Sequence, residues 1–374
     1  MKKIILSLAF LSSVFIVSEA FADHSPKKMM RNIKAYSQLS VIGKLGPFYV
    51  NFEKFGELPN LTNTNLNNKK FERVLSDKFN LAAIVMHDGK IIYERYDAKR
   101  NINSNTPLLG MSMSKTAVAA SIGSLLCSGQ IASLNDKAGK YSSFLASTPY
   151  GSVSIQNILQ MNSGVSLLGR DDEKKFNHKS RGTQKFDGNG DVREALNFYK
   201  SASRNPGSKM NYHSTDSLAL SVLAEEISGQ SLTEYFYTNL YKEFGEHNFM
   251  QWTSDKNGTT VSFSDLVMTA RDWANFGQYL MTQKIQNSCL GNFFSEGVEG
   301  SVDTGKENLS RYGYQSWVFN VNGKPTMVLQ GHGGQFIVLD EVTNTLLLTI
   351  SRNEQYEVGN LFSHIHKIAE RIIN

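Results

Sequence analysis

Ser112-Met113-Ser114-Lys115, standing directly before the apolar run from Thr116 to Leu126, decides how this chain is read. Residues three apart are neighbours on a helix. Lys115 can therefore reach the Ser112 oxygen and take its proton, provided burial keeps the amine from being permanently charged. A hydroxyl and an amine so placed are the layout of a serine acyl-transfer enzyme. The same spacing recurs at Ser25-Pro26-Lys27-Lys28, but in a polar segment with no apolar helix behind it. Context separates the two copies.

Upstream of Ser112, Ala82 to Met86 and Ile91 to Tyr96 flank His87-Asp88-Gly89-Lys90 and predict a β-hairpin, with Gly where a positive φ is needed. Downstream, from Thr116 to about Phe244, the apolar spacing is mostly helical, including Ser217 to Ile227. Strand signals return at Trp317 to Phe319, Thr326 to Leu329, Phe336 to Leu339 and Thr345 to Ile350, with Asp340 to Asn344 turning the last pair. Leu361, Ile365, Ile368 and Ile372 predict a terminal amphipathic helix. The expectation is an α+β fold whose mainly antiparallel sheet, flanked by helices, draws on residues 71–115 and 261–374, with 116–260 inserted as a helical region. A site belongs where the two regions meet. Residues 23–70 are polar and carry no readable role.

Two further segments can converge on Ser112. Asn211-Tyr212-His213-Ser214 follows the Pro206-Gly207 turn and leads into a helix, so Tyr212 sits on a connection, a common place for catalytic groups. Gly331-His332-Gly333-Gly334-Gln335 enters a strand, where glycines let a substrate carbonyl approach and a backbone N–H can serve an oxyanion. Together, S-x-x-K, Y-x-S and H-G-G resemble the serine β-lactamase and penicillin-binding superfamily, in particular its class C-like branch of esterases and aminohexanoate-dimer hydrolases. Ile158 to Val165 is similar to that family's "LLTMTSGL" segment, Thr269 to Gly277 to its "TARDLARFG" helix, and Tyr312 to Trp317 also matches. The resemblance spans roughly residues 80 to 352. It implies a β-lactamase/transpeptidase-like fold in which Ser112 is the nucleophile, Lys115 its proton acceptor and Tyr212 the second acid/base. It also implies an oxyanion site from the backbone N–H groups of Ser112 and Gln335, while leaving open which of Lys115 and Tyr212 takes the first proton.

The departures bear on substrate. Ser214 stands where the family has the Asn of Y-x-N, and His332-Gly333-Gly334 replaces K-T-G, removing a fixed ammonium beside the substrate. A small neutral ester, amide or peptide-like substrate is expected over a β-lactam or a D-Ala-D-Ala peptide, the runner-up activities; a binding-only relative without turnover is the third reading. Neither an S-D-N triplet nor the deacylation glutamate of class A enzymes is present. The Gly331-His332-Gly333-Gly334 stretch also resembles an α/β-hydrolase oxyanion motif, but there it should precede a nucleophile in G-x-S-x-G, and Gly110-Met111-Ser112-Met113-Ser114 lacks the second Gly.

Residues 1–22 read as a secretory signal: Lys2 and Lys3, the apolar run Ile4 to Val17, then Ala20-Phe21-Ala22. An exported protein, periplasmic or extracellular, is expected, with no membrane span after processing. The net charge is +5, one less once Lys2, Lys3 and Glu19 leave, which argues against a nucleic-acid partner. Of the two cysteines, Cys127 lies on the helix after Ser112 and reads as a buried thiol, although export leaves a disulfide with Cys289 open. No metal or organic cofactor is expected; His364 and His366, two apart on a helix, point to different sides.

Overall fold

The computed structural model of the protein describes residues 52–56, 69–75, 80–165, 190–197, 201–245, 249–306, 309–321 and 323–351. The expected signal segment and the terminal helix lie outside the described residues.

The fold is α+β. Eight strands form one antiparallel sheet. They are β2 (Asn80–His87), β3 (Lys90–Tyr96), β7 (Val302–Lys306), β8 (Leu309–Gly313), β9 (Ser316–Val321), β10 (Lys324–Gly331), β11 (Gln335–Asp340) and β12 (Thr345–Ser351). Their order is β3-β2-β12-β11-β10-β9-β8-β7, so the strands before Ser112 pair with the last strand among the described residues, Leu347 opposite Val85. The hairpin expected at residues 82–96 is present, its turn made by Asp88 and Gly89 at positive φ.

The central strands read as continuous apolar runs because both faces of the sheet are covered. Ile84, Met86, Ile337, Leu339, Leu346 and Leu348 join the main core, whereas Ala83, Val85, Phe336, Val338 and Leu347 join a second cluster. That cluster is capped by Phe71 and Leu75 of the short helix α1 (Lys69–Leu75).

The helix α2 (Ser114–Cys127), which follows Ser112, is buried along nearly its whole length, which explains why its apolar residues show no one-sided stripe. Around it stand α3 (Ile155–Leu159), α4 (Ser214–Ser228), α5 (Ala270–Ile285) and α6 (Cys289–Glu299). Gly277 lets α5 lie flat on the sheet, since a Cβ there would come within 2.6 Å of Ile337 and Leu346 side-chain atoms. No pattern foretold a second, four-stranded sheet of order β1-β5-β6-β4, built from Phe52–Phe55, Met250–Thr253, Val267–Thr269 and Pro107–Leu109. Its strands are three or four residues long, too short to show alternation.

One expectation is corrected. Cys127 is not a buried thiol: it is bonded to Cys289, with Cα atoms 5.8 Å apart. The bond links the end of α2 to the start of α6, and α6 packs so closely on α2 that a Cβ at Gly123 would meet Leu290 at 2.7 Å and Phe293 at 2.9 Å. A sequence separation of 162 residues gives no sign of that proximity. Among the described residues no helix is long and apolar enough to cross a membrane.

Candidate active site

Ser112 lies in a 3-10 turn, Met111–Met113, that runs straight into α2. Met111 has φ 52°, a left-handed conformation that costs a side-chain-bearing residue about 1–3 kcal/mol and persists only where the surroundings over-determine it. They do so here. The Met113 N–H donates to Gly110 O at 3.1 Å and the Gly110 N–H to Leu266 O at 3.0 Å. Ser114 Oγ donates to Met111 O at 2.6 Å and accepts from the Leu266 N–H at 3.1 Å.

Two glycines let the walls close on the turn. A Cβ at Gly110 would sit 2.1 Å from the Trp273 ring, whose Nε1 donates to Leu108 O at 3.0 Å. A Cβ at Gly331 would sit 2.3 Å from Gly110 O. The Thr269 to Gly277 segment thus supports the Ser112 turn from below, and β10 presses against its side.

Lys115 is 2% exposed. Its Nζ is 3.1 Å from Ser112 Oγ and donates to Phe263 O at 2.6 Å. A neutral amine keeps two N–H donors and one lone pair, so with one N–H on Phe263 O it can turn the lone pair to the Ser112 hydroxyl. Nζ also lies 5.2 Å from the centroid of the Tyr212 ring.

Tyr212 sits on the connection before α4 and is half-buried. Its ring stacks on Trp317, centroids 5.2 Å apart, and meets Tyr312 edge-on at 5.7 Å. Burial pushes its phenol up to about 12, against an opposing hydrogen bond with Ser112. Ser112, Lys115 and Tyr212 are therefore in mutual contact.

The other expected residues lie on the segments that adjoin this centre in the chain or, through Gly331 and Gly110, across it. Ser214 opens α4 and is half-buried. His332 is exposed at the turn between β10 and β11, and Gly333 and Gly334 have φ 84° and 96°, the left-handed region that favours glycine. The Gln335 side chain donates to His332 O and accepts from the Ser351 N–H at 2.8 Å. That amide braces the turn, so its backbone N–H is the group an oxyanion role would use. Among the described residues no group of three or more His, Cys, Asp or Glu could hold a metal ion.

Sequence reasoning missed two features. The Phe263 carbonyl holds Lys115, and a backbone acceptor leaves no mark on sequence. Behind Tyr212, the fully buried Asp216 accepts from Tyr150 Oη and Ser163 Oγ, both at 2.7 Å, and lies 3.4 Å from His213 Nε2. Burial pushes the Asp216 carboxyl up, against His213 and these hydrogen bonds. A polar residue in the first turn of a helix looks like an ordinary cap, so the pattern concealed it.

The family model described as Beta-lactamase matches residues 69–363. Among solved structures, a Bacillus anthracis protein assigned as a 6-aminohexanoate-dimer hydrolase is similar over 96% of each chain, with 19% identity and a TM-score of 0.74. A D-amino acid amidase from Ochrobactrum anthropi SV3, complexed with D-phenylalanine, is 13% identical with a TM-score of 0.62, over 82% of this chain and 98% of its own. A family VIII carboxylesterase is 14% identical with a TM-score of 0.61, over 83% of this chain and all of its own. At these identities the likeness is one of fold. No curated protein matches the chain.

Proposed function

The chain belongs to the Beta-lactamase family of hydrolases, and on that footing we propose that it cleaves a small ester or amide through an acyl-enzyme on Ser112. The observation that carries this reading is the 3.1 Å approach of the buried Lys115 amine to Ser112 Oγ, with Phe263 O fixing the amine from the other side. Lys115 takes the hydroxyl proton as Oγ attacks the carbonyl carbon. The backbone N–H groups of Ser112 and Gln335 hold the oxyanion. Tyr212 hands its proton to the departing oxygen or nitrogen and recovers one from Lys115, and a water molecule then repeats the sequence on the acyl-enzyme.

The aromatic wall of Tyr212 and Trp317 and the absence of a lysine at His332 favour an uncharged acyl group over a carboxylate-bearing lactam. An aminohexanoate-dimer hydrolase, an amidase and a carboxylesterase among the similar structures fit that class. Intact-mass analysis after mixing with an activated ester, and separately with a penicillin, tests the reading. The ester should leave a single adduct on the wild type and none on Ser112→Ala; no adduct from any acyl donor would favour the binding-only alternative.

We also propose that the protein is exported. The Cys127–Cys289 bond suits an oxidising compartment, in keeping with the leader pattern of residues 1–22. Cell fractionation with mass analysis of the mature chain should find it outside the cytoplasm, starting near Asp23; a full-length cytoplasmic chain would rule this out.

A further inference from the structure

The tip of the β8–β9 hairpin is buried, although hairpin tips usually meet water. Gly313 pairs with Ser316 across a two-residue turn, Tyr314-Gln315, and both turn residues are 2% exposed. Their φ angles are 42° and 58°, a geometry for which Asn-Gly is the favoured pair. Neither Tyr nor Gln suits it, and each costs about 1–3 kcal/mol there. Tyr314 has a packing reason, its ring centroid lying 4.8 Å from that of Phe293 on α6.

Gln315 has a polar reason, since its main-chain and side-chain amide groups are all engaged. Its N–H donates to Leu159 O at 2.9 Å. Its Nε2 donates to Ile158 O at 3.2 Å and Leu159 O at 3.1 Å. Its Oε1 accepts from Ser217 Oγ at 2.6 Å, and its carbonyl accepts from Thr116 Oγ1 at 3.0 Å.

Each partner adjoins a different part of the site. Thr116 follows Lys115. Ser217 stands on the first turns of α4, which Tyr212 leads into. Leu159 is two residues before Met161, whose carbonyl accepts from the Asn211 N–H at 2.8 Å and whose sulfur accepts from the His213 N–H at 3.4 Å. Two residues past Gln315 is Trp317, on which Tyr212 stacks. Gln315 thus joins the two chain segments that carry Ser112–Lys115 and Tyr212: its main-chain carbonyl holds Thr116, and its side-chain amide holds Ser217 and the Ile158–Leu159 carbonyls.

We propose that Gln315 is a positioning residue that sets the placement of Tyr212 against the Ser112–Lys115 turn; this rests on the acyl-enzyme reading above. Gln315→Gly eases the backbone at φ 58° and keeps both main-chain hydrogen bonds, removing only the side-chain links. Gln315→Glu keeps the shape and the acceptor for Ser217 while placing an oxygen where the amide N–H groups face two carbonyls. Both variants are titrated with a p-nitrophenyl ester, so that rates refer to acylatable enzyme. Turnover is then measured on that ester and on an alkyl ester of the same acid, alongside Tm.

Per titrated site, kcat on the alkyl ester should fall about tenfold to a hundredfold, the effect of displacing a catalytic group by about 1 Å. KM should hold, and the loss on the nitrophenyl ester should be smaller. If the Gly variant does not fold, the Glu variant decides. Unchanged kcat per titrated site in a folded variant, or equal losses on both esters, overturns the proposal even if Tm falls. A wild-type chain that takes no acyl group at all would instead overturn the acyl-enzyme reading.

Discussion

Tyr212→Phe should sort substrates by their leaving groups. With its phenol pushed up to about 12, holding Tyr212 as a phenolate at pH 7.5 would cost about 6 kcal/mol, at 1.36 kcal/mol per pKa unit. A group that far from ionisation is a donor, and Lys115, 3.1 Å from Ser112 Oγ, is left as the first acceptor. Losing a general acid costs about 10²–10⁴ in rate where the leaving group must be protonated. The variant should therefore lose that much on an alkyl ester or amide and no more than about tenfold on a p-nitrophenyl ester, whose leaving group departs as an anion. The Phe ring keeps the stack on Trp317 and the edge contact with Tyr312, so KM and Tm should hold. Stopped-flow acylation under single turnover measures both losses. Equal losses on the two esters would make Tyr212 the base for Ser112, and no loss on either would remove it from the mechanism. The linkage sign adds a check. The folded-state value lies above the ordinary 10, so the associated stability is complete below pH 10 and is lost as pH rises toward about 12. The Phe variant should lack that alkaline loss.

Lys115→Met should abolish acylation by every ester, at least 10³-fold, because the Ser112 hydroxyl then loses the amine that takes its proton and keeps only the un-ionised Tyr212 phenol; an adduct formed at near-normal rate on intact-mass analysis would contradict this. Gly110→Ala drives a methyl into the Trp273 ring and should cost about 1–3 kcal/mol with a loss of kcat. Trp273→Leu in the same chain should restore part of both, and strict additivity in the double variant would deny that the ring supports the turn. Replacing Cys127 and Cys289 by Ser frees a 162-residue loop, worth about 5 kcal/mol on the chain-entropy account and a Tm drop of about 6 °C for a chain of this size; an unchanged calorimetric Tm would refute it. Asp216→Asn should raise stability at neutral pH. Burial holds the carboxyl above its usual range, so the folded state keeps its proton longer and stability falls as pH rises above about 4. Asn still offers an acceptor to Tyr150 and Ser163, and a larger pH 4 to 7 loss of Tm in the variant than in the wild type would reverse the sign.

The strands and the helix after Ser112 were legible because apolar runs of that length leave few alternatives, and because Asp88-Gly89 names its own turn. The contact between Ser112 and Lys115 was legible from a spacing of three, and Tyr212 from its place between a Pro-Gly turn and a helix. What stayed hidden depends on which segments meet. The four-stranded sheet draws one strand each from residues near 54, 108, 251 and 268, and no local pattern announces a pairing across some 200 residues. The disulfide, the Phe263 carbonyl on Lys115 and the Asp216 cluster fail for the same reason: each is a long-range contact made by a residue that is ordinary in its own neighbourhood.

The backbone outliers show where that hidden information is concentrated. Among the described residues, nine other than glycine have positive φ. Asp88, Asn101, Asn287 and Asn344 are in turns and are the residue types that tolerate the left-handed region, as is Asp265. The remaining four are Met111, Met161, Tyr314 and Gln315, residue types with no such tolerance, and all four are buried. Met111 precedes Ser112, Met161 holds the backbone on both sides of Tyr212, and Tyr314-Gln315 ties the Ser112 and Tyr212 segments together. At about 1–3 kcal/mol each, the four together rival the about 5–15 kcal/mol by which a domain is stable at all. Such strain survives only where packing permits no other arrangement, and here it surrounds the three groups whose separation the proposed chemistry depends on. Relief of strain at these positions is therefore expected to stabilise the chain and slow the reaction together, whereas strain unrelated to function would give stability with no loss of rate.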